Sequence, residues 1–353
     1  MRILILSCKS SLQKEIGDLM PFEKAINKYI KKYRSHQLKL IYFDEENKFK
    51  IKPVKKNPKA IREFINQLEK KWGEIATVLI IGGDKVVPFY RLPNPCDDDD
   101  DKVLSDNPYA SRDDDFLIPE RMCARIPDNR RVEFIIKQLN KSLTKYNKSF
   151  GMSALVWKEA SKNVYQQLGR KKDLKISPPT TSANFKSQWL KEKNYLYFNL
   201  HGSAVSENWY GQEGGNYPIA LKPANILQAN GFVASEACYG AYIINKSEKN
   251  AISLKFLDQE NIVGFCGSTT IAYGPPKPPS SEADLLVKYL FEYLKQGLLM
   301  GEAFKNAKVD FARKKIRRHG FLDDDDQKTL LQFVLYGNPL LKFGYNWTLS
   351  KGV

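Results

Sequence analysis

The 353-residue chain is longer than one typical domain, is 42% hydrophobic and 12% aromatic, and so has the material for a large core rather than a disordered polymer. Its formal charge of +16 and pI near 9.4 fit a nucleic-acid or acidic partner, but the lysines are scattered and read first as solvated surface. No apolar run approaches the roughly 20 residues of a membrane span, and five cysteines without CxxC or CxxxH spacing argue against a disulfide framework or a zinc site.

Arg2 to Ser7 reads as a buried strand rather than a secretory leader, which sets the expectation of a cytoplasmic protein. Leu12 to Tyr33 carries apolar residues at helical spacing, interrupted by Pro21. Leu38 to Phe43 is a second strand, Ala60 to Trp72 an amphipathic helix, and Thr77 to Ile81 a third strand ending at Gly82-Gly83-Asp84. This alternation predicts a parallel sheet covered on both faces. The Pro- and Asp-rich stretch from Val86 to Asp128 reads as a long surface excursion. Glu133 to Tyr146 reads as a helix linking two halves. Strands follow at Ser153–Trp157, Tyr195–Leu200, Gly231–Ser235 and Ile262–Cys266, then helices at Ala283–Gln296 and Gly301–Lys315. The expected division is an N-terminal α/β subdomain over residues 1–147 and a second over residues 148–353.

Two of these strands end in chemistry. One runs into His201-Gly202-Ser203, the next into Ser235-Glu236-Ala237-Cys238. Consecutive strands joined by a covered crossover lie parallel and end at one sheet edge, where ligands bind in open α/β sheets. His201, one of three histidines, and Cys238 would then meet, as a thiol and the imidazole that activates it. The N–H groups of Gly202 and Cys238 are available for an oxyanion. The structural alternative is a buried small cysteine and a turn histidine; Glu236 reads as a structural acceptor.

The blocks YFNLHGS and VASEACYGA resemble those of the caspase-like (clan CD) cysteine peptidases, and most closely the gingipain type. LIIGGDKVVPFYRLPNP, SDNPYASRDDDFLIPERMCARIP, VGFCGSTTIAYG, GLLMGEAFKNAKVDF and LYGNPLLKF resemble further blocks in the same order, with Ala124 and Asn338 departing from the usual residues. The resemblance implies a three-layer α/β sandwich with a mostly parallel sheet. It also implies a cysteine endopeptidase with Cys238 as nucleophile, His201 as general base and acid, and Gly202 at the oxyanion. Glu159 matches a glutamate that would orient the histidine.

The resemblance further implies a P1 pocket after the same strand that Glu159 follows. Asn163 stands nearest the usual acidic position, Glu207 and Glu213 are the other acidic candidates, and the loop from Ser268 with Tyr273 forms a wall. A basic P1 is favoured. No cofactor is expected; calcium at Asp113–Asp115 is what the family would add. The runs Asp97–Asp101 and Asp323–Asp326 read as solvated loops. Their abrupt change of sign at Lys102 and at Arg317-Arg318 raises latency, by self-cleavage or by charge closure. The expected partners are a protein substrate and an acidic regulator, with nucleic acid not required and no membrane. The competing readings are an inactive caspase-like adaptor or basic nucleic-acid-binding protein, and a transpeptidase using the same acyl-enzyme.

Overall fold

The protein is described by a computed structural model over residues 1–344. The N-terminal half begins with β1 (Arg2–Ser7), α1 (Lys9–Ile16), α2 (Met20–Lys32), β2 (Gln37–Tyr42), α3 (Pro58–Trp72) and β3 (Ile75–Ile81). The break between α1 and α2 falls at Gly17, whose φ of 78° suits glycine, and Pro21 lies in the first turn of α2 rather than interrupting a helix.

The next segment is not the surface excursion expected. It folds as a hairpin of β4 (Tyr90–Pro93) and β5 (Lys102–Ser105), a short α4 (Asn107–Ala110) and β6 (Met122–Ile126). β6 is a fully buried strand beside β3. Two charges hid it, Arg121 just before the strand and Arg125 within it: both are buried, the first paired with Glu69 and the second with Asp106. A buried guanidinium is tolerated when its donors are met. Arg125 meets them through Asp106 and the carbonyls of Gly82 and Val87 at 2.8 and 2.7 Å.

α5 (Val132–Asn140) ends six residues earlier than the periodicity suggests, and β7 (Ser149–Ala154), α6 (Lys158–Tyr165), β8 (Lys175–Ser177) and β9 (Tyr195–Asn199) follow. β10 (Trp209–Tyr210) and β11 (Ile219–Leu221) form a small hairpin in the crossover, which contains no α-helix. β12 (Asn230–Ser235), α7 (Ile252–Leu257), β13 (Asn261–Ser268), α8 (Glu282–Lys295), α9 (Met300–His319), α10 (Asp324–Gln332) and β14 (Phe333–Gly337) complete the described chain.

Ten strands make one sheet in the order β2-β1-β3-β6-β14-β13-β12-β9-β7-β8, parallel except where β14 runs against β13. The expected boundary at 147/148 lies between α5 and β7, and β14 joins the halves by pairing with β6 and β13; residues 345–353 lie outside the described chain. Alternation along the strands sends side chains to two cores. Tyr195, Tyr197, Phe232 and Ala234 pack on one face with Leu286, Leu290 and Ala307, while Leu196, Phe198 and Val233 pack on the other with Leu254 and Trp209.

Candidate active site

The site is built at the carboxyl ends of β9 and β12. These strands are parallel neighbours, with Phe198 opposite Ser235, and the ladder continues past them through Glu236 N–H to Phe198 C=O at 2.8 Å. His201 follows one strand by two residues and Cys238 the other by three, so both reach the same rim. They line one cleft of about 240 Å³ together with Trp157, Glu236, Ala272, Tyr273 and Gly274. Gly202 is required by close approach: a Cβ there would lie 2.1 Å from the Cys238 carbonyl oxygen. The two reactive loops therefore touch backbone to backbone.

The thiol rests against the loop after β13. Sγ lies 3.3 Å from the Ala272 N–H and 3.4 Å from its carbonyl oxygen. Burial pushes the Cys238 thiol upward, opposed by the Ala272 N–H, and burial draws His201 downward, opposed by Gln212. Both shifts favour the neutral forms, a thiol and a neutral imidazole lining one cleft. The His201 ring packs against Trp157 and Tyr217, with centroids at 4.3 and 5.2 Å, and its Nε2 lies 2.8 Å from Gln212 Oε1.

Two carboxyls underlie the cleft. Glu236 is buried and takes a hydrogen bond from the Tyr197 phenol at 3.0 Å, as its structural reading requires, but its Oε1 has no donor. Asp284, in the first turn of α8, is fully buried against Glu236, and among the described residues neither of its oxygens has a donor outside that pair. A Cβ on cleft residue Gly274 would lie 3.2 Å from Asp284 Oδ2. Burial and mutual repulsion push Glu236 well above the ordinary carboxylate range, and burial raises Asp284. Spacing alone does not reveal this pair, since 48 residues separate its members. The available signal was Glu236 on a buried strand end.

Other expected residues fall elsewhere. Glu159 is not brought to the imidazole: it is exposed on α6 and paired with Lys162 at 2.8 Å. Trp157, at the end of the preceding turn, occupies that side of the ring. Asn163 accepts from the Ser280 hydroxyl, and Glu207 and Glu213 are exposed. Ser268 is buried and donates to the carbonyls of Ala237 and Thr270, so it braces the loop, whereas Tyr273 does line the cleft.

The acidic runs are only partly solvated: Asp97, Asp99, Asp101, Asp323 and Asp324 are exposed, but the other members are drawn into the fold. Asp98 and Asp100 flank the fully buried Lys328, and Asp100 also accepts from the Tyr239 phenol at 2.5 Å and the Ile271 N–H at 2.8 Å. Asp323 caps α10, and Asp326 is buried against Lys315. Asp114 pairs with Arg62, and no group of three or more His, Cys, Asp or Glu side chains among the described residues is placed to hold a metal ion. Lys102 opens β5, while Arg317 and Arg318 lie in the last turn of α9, inside regular structure. No helix among the described residues is long and apolar enough to cross a membrane.

A mostly parallel sheet with a thiol and an imidazole on one rim is the arrangement of a caspase-like cysteine peptidase. The family model described as peptidase family C25 matches residues 15–196, and the chain belongs to that family. It is a cysteine-type peptidase, a hydrolase acting on protein. The match ends before His201 and Cys238. Among solved structures, the chain is similar to the Arg-specific cysteine proteinase gingipain R (RGPB), with 15% identity, a TM-score of 0.65, and coverage of 97% of this chain and 77% of that one. It is also similar to the complex of Porphyromonas gingivalis RgpB pro- and mature domains, with 14% identity, a TM-score of 0.65, and coverage of 97% and 80%. A structure titled simply as a protease matches at 12% identity and a TM-score of 0.64, covering 97% and 78%. These likenesses establish a shared fold. No curated protein matches the chain.

Proposed function

We propose that the chain is an endopeptidase in which Cys238 attacks the scissile carbonyl and His201 carries the proton, with selection for a basic P1 side chain. The observation that carries this reading is the cleft itself: a thiol and an imidazole at its rim, and the Glu236 carboxyl in its lining with Asp284 buried behind it.

The resting couple is neutral, so the proton leaves sulfur as the carbon–sulfur bond forms. His201 then returns that proton to the departing amine, and water resolves the acyl-enzyme by the reverse sequence. The N–H groups of Gly202 and Cys238 serve the oxyanion. A lysine or arginine reaching the floor supplies the donors that Glu236 Oε1 and both Asp284 oxygens lack, and stabilises their ionised forms. Gingipain R is Arg-specific by its title; here the acidic floor comes from residues of β12's end and α8. The net charge of +16 favours acidic regions of a substrate or regulator through long-range attraction.

The test is a panel of fluorogenic peptides varied at P1, run on the wild type and on Cys238→Ala. Turnover is expected for Arg and Lys only, and none from the variant. Turnover surviving in Cys238→Ala removes the assigned nucleophile, and equal rates across P1 types remove the selection.

A further inference from the structure

Resting on Cys238 and His201 as the reacting couple, the structure assigns Gln212 as the residue that sets the tautomer and orientation of the imidazole. The observation is a directed set of hydrogen bonds. An amide's oxygen and nitrogen are told apart by their partners. Gln212 Nε2 lies 3.1 Å from the Gly214 carbonyl oxygen and 3.0 Å from the Tyr217 hydroxyl. A backbone carbonyl only accepts, so the amide nitrogen stands at that end. Oε1 is then the atom 2.8 Å from His201 Nε2. An amide oxygen only accepts as well, so Nε2 carries a proton. In a neutral imidazole the free lone pair is then on Nδ1.

The surrounding fold supports a fixed ring. His201 and Tyr210 exchange both backbone hydrogen bonds at 2.9 Å, which binds the histidine to the strand that leads into Gln212. The Gln212 N–H donates to the Ser177 carbonyl at 3.2 Å, tying the turn to edge strand β8. Gln212 thus takes the position that the sequence assigned to Glu159. The titratable groups sharing the cleft are Cys238, Glu236 and Tyr273, with Asp284 behind Glu236 and the Tyr217 phenol on the other side of the ring. An uncharged acceptor orients the ring without adding a charge that would hold a proton on it.

The proton path follows. The Nδ1 lone pair takes the proton from Sγ–H as the sulfur–carbon bond forms and the carbonyl π pair moves onto oxygen. The imidazolium passes that proton to the amine nitrogen as the carbon–nitrogen bond breaks and the carbonyl re-forms. Nε2–H stays on Gln212 throughout.

The experiment compares wild type, Gln212→Ala and Gln212→Glu on a fluorogenic peptide that the wild type cleaves, from about pH 5 to 9, with thermal melts as a folding control. Gln212→Ala is expected to lower kcat roughly 10- to 100-fold with KM little changed. Gln212→Glu keeps an acceptor at Nε2 but stabilises imidazolium, so the acid limb of kcat/KM moves up by about one pH unit or more. Should Gln212→Ala fail to fold, the near-isosteric Gln212→Glu carries the test, because a purely structural role does not move the acid limb. Wild-type kcat in Gln212→Ala, or an unmoved acid limb in Gln212→Glu, overturns the assignment. Cys238→Ala separates the two levels: turnover surviving there removes the underlying couple, whereas a dead Cys238→Ala with unchanged Gln212 variants removes only the role of Gln212.

Discussion

Arg125 on β6 and Asp106 before α4 are buried together in the N-terminal half; Glu236 after β12 and Asp284 on α8 are buried together in the C-terminal half. In the first pair every charge has an opposite. The guanidinium reaches Asp106 and two carbonyls and lies 4.1 Å from the centre of the Phe89 ring. In the second pair two acids face each other, with Glu236 held toward its protonated form, and three of the four oxygens receive no donor from outside the pair. Burial is equal and chemistry is opposite. A satisfied buried ion pair fixes a fold, whereas unsatisfied buried carboxyls beside an open cleft are a cost that a ligand cation relieves.

The largest effect is expected from breaking the satisfied pair. Asp106→Ala leaves Arg125 buried and uncompensated, at a cost of about 3–5 kcal/mol of stability. Chemical denaturation measures it. A loss below about 1 kcal/mol would mean that the pair is hydrated and the contrast false.

Glu236→Gln is expected to do the reverse. It removes a buried carboxyl whose ionisation is opposed by burial and by Asp284, and leaves the fold as stable as wild type or more so, while kcat/KM for Arg or Lys at P1 falls by the equivalent of about 2–4 kcal/mol. The pH dependence has a definite sign. Both carboxyls are raised in the folded chain, so the native state holds protons that the unfolded state has released. Their penalty is absent below the ordinary carboxylate range near pH 4 and grows as pH rises toward neutrality and beyond. The stability gap between Glu236→Gln and wild type should therefore widen from pH 4 to pH 8 in thermal melts. Preference for a basic P1 should grow over the same range, as the pair ionises. A gap independent of pH would remove the like-charge reading of the cleft floor.

The same contrast explains what the sequence made legible. The strands ending at His201 and Cys238 show as apolar runs, and their parallel pairing follows from the chain order, so the rim was readable. β6 was not, because Arg121 and Arg125 break an apolar run and only Glu69 and Asp106, 52 and 19 residues away in the chain, make them tolerable. The runs Asp97–Asp101 and Asp323–Asp326 fail for the same reason: their buried members are compensated by Lys328 and Lys315, which local composition cannot associate with them. Glu159 and Gln212 show the limit at the site. The family resemblance placed the orienting group at Glu159, just after a strand, whereas the side chain that meets the imidazole, Gln212, comes from a turn in the crossover.

The smallest and most discriminating effect lies within one acidic run. Tyr239, directly after Cys238, has φ of 54°, a left-handed conformation that costs a non-glycine residue roughly 1–2 kcal/mol. Asp100 holds it by the phenol, and its other oxygen holds Ile271, the neighbour of the Ala272 N–H that contacts the thiol. One carboxylate thus sets both the residue after the sulfur and the loop in front of it. Asp100→Asn cannot accept at both oxygens and weakens the contact with Lys328, so kcat/KM should fall by about 1–2 kcal/mol, with slower alkylation of Cys238 by iodoacetamide. Asp101, next in sequence, is 95% exposed and 4.0 Å from Lys102. Asp101→Asn should change neither rate measurably, as expected for a surface pair. Equal behaviour of the two variants would show that the run acts through its bulk charge; a difference confined to Asp100 shows that a buried carboxylate holds the Cys238 loop in place.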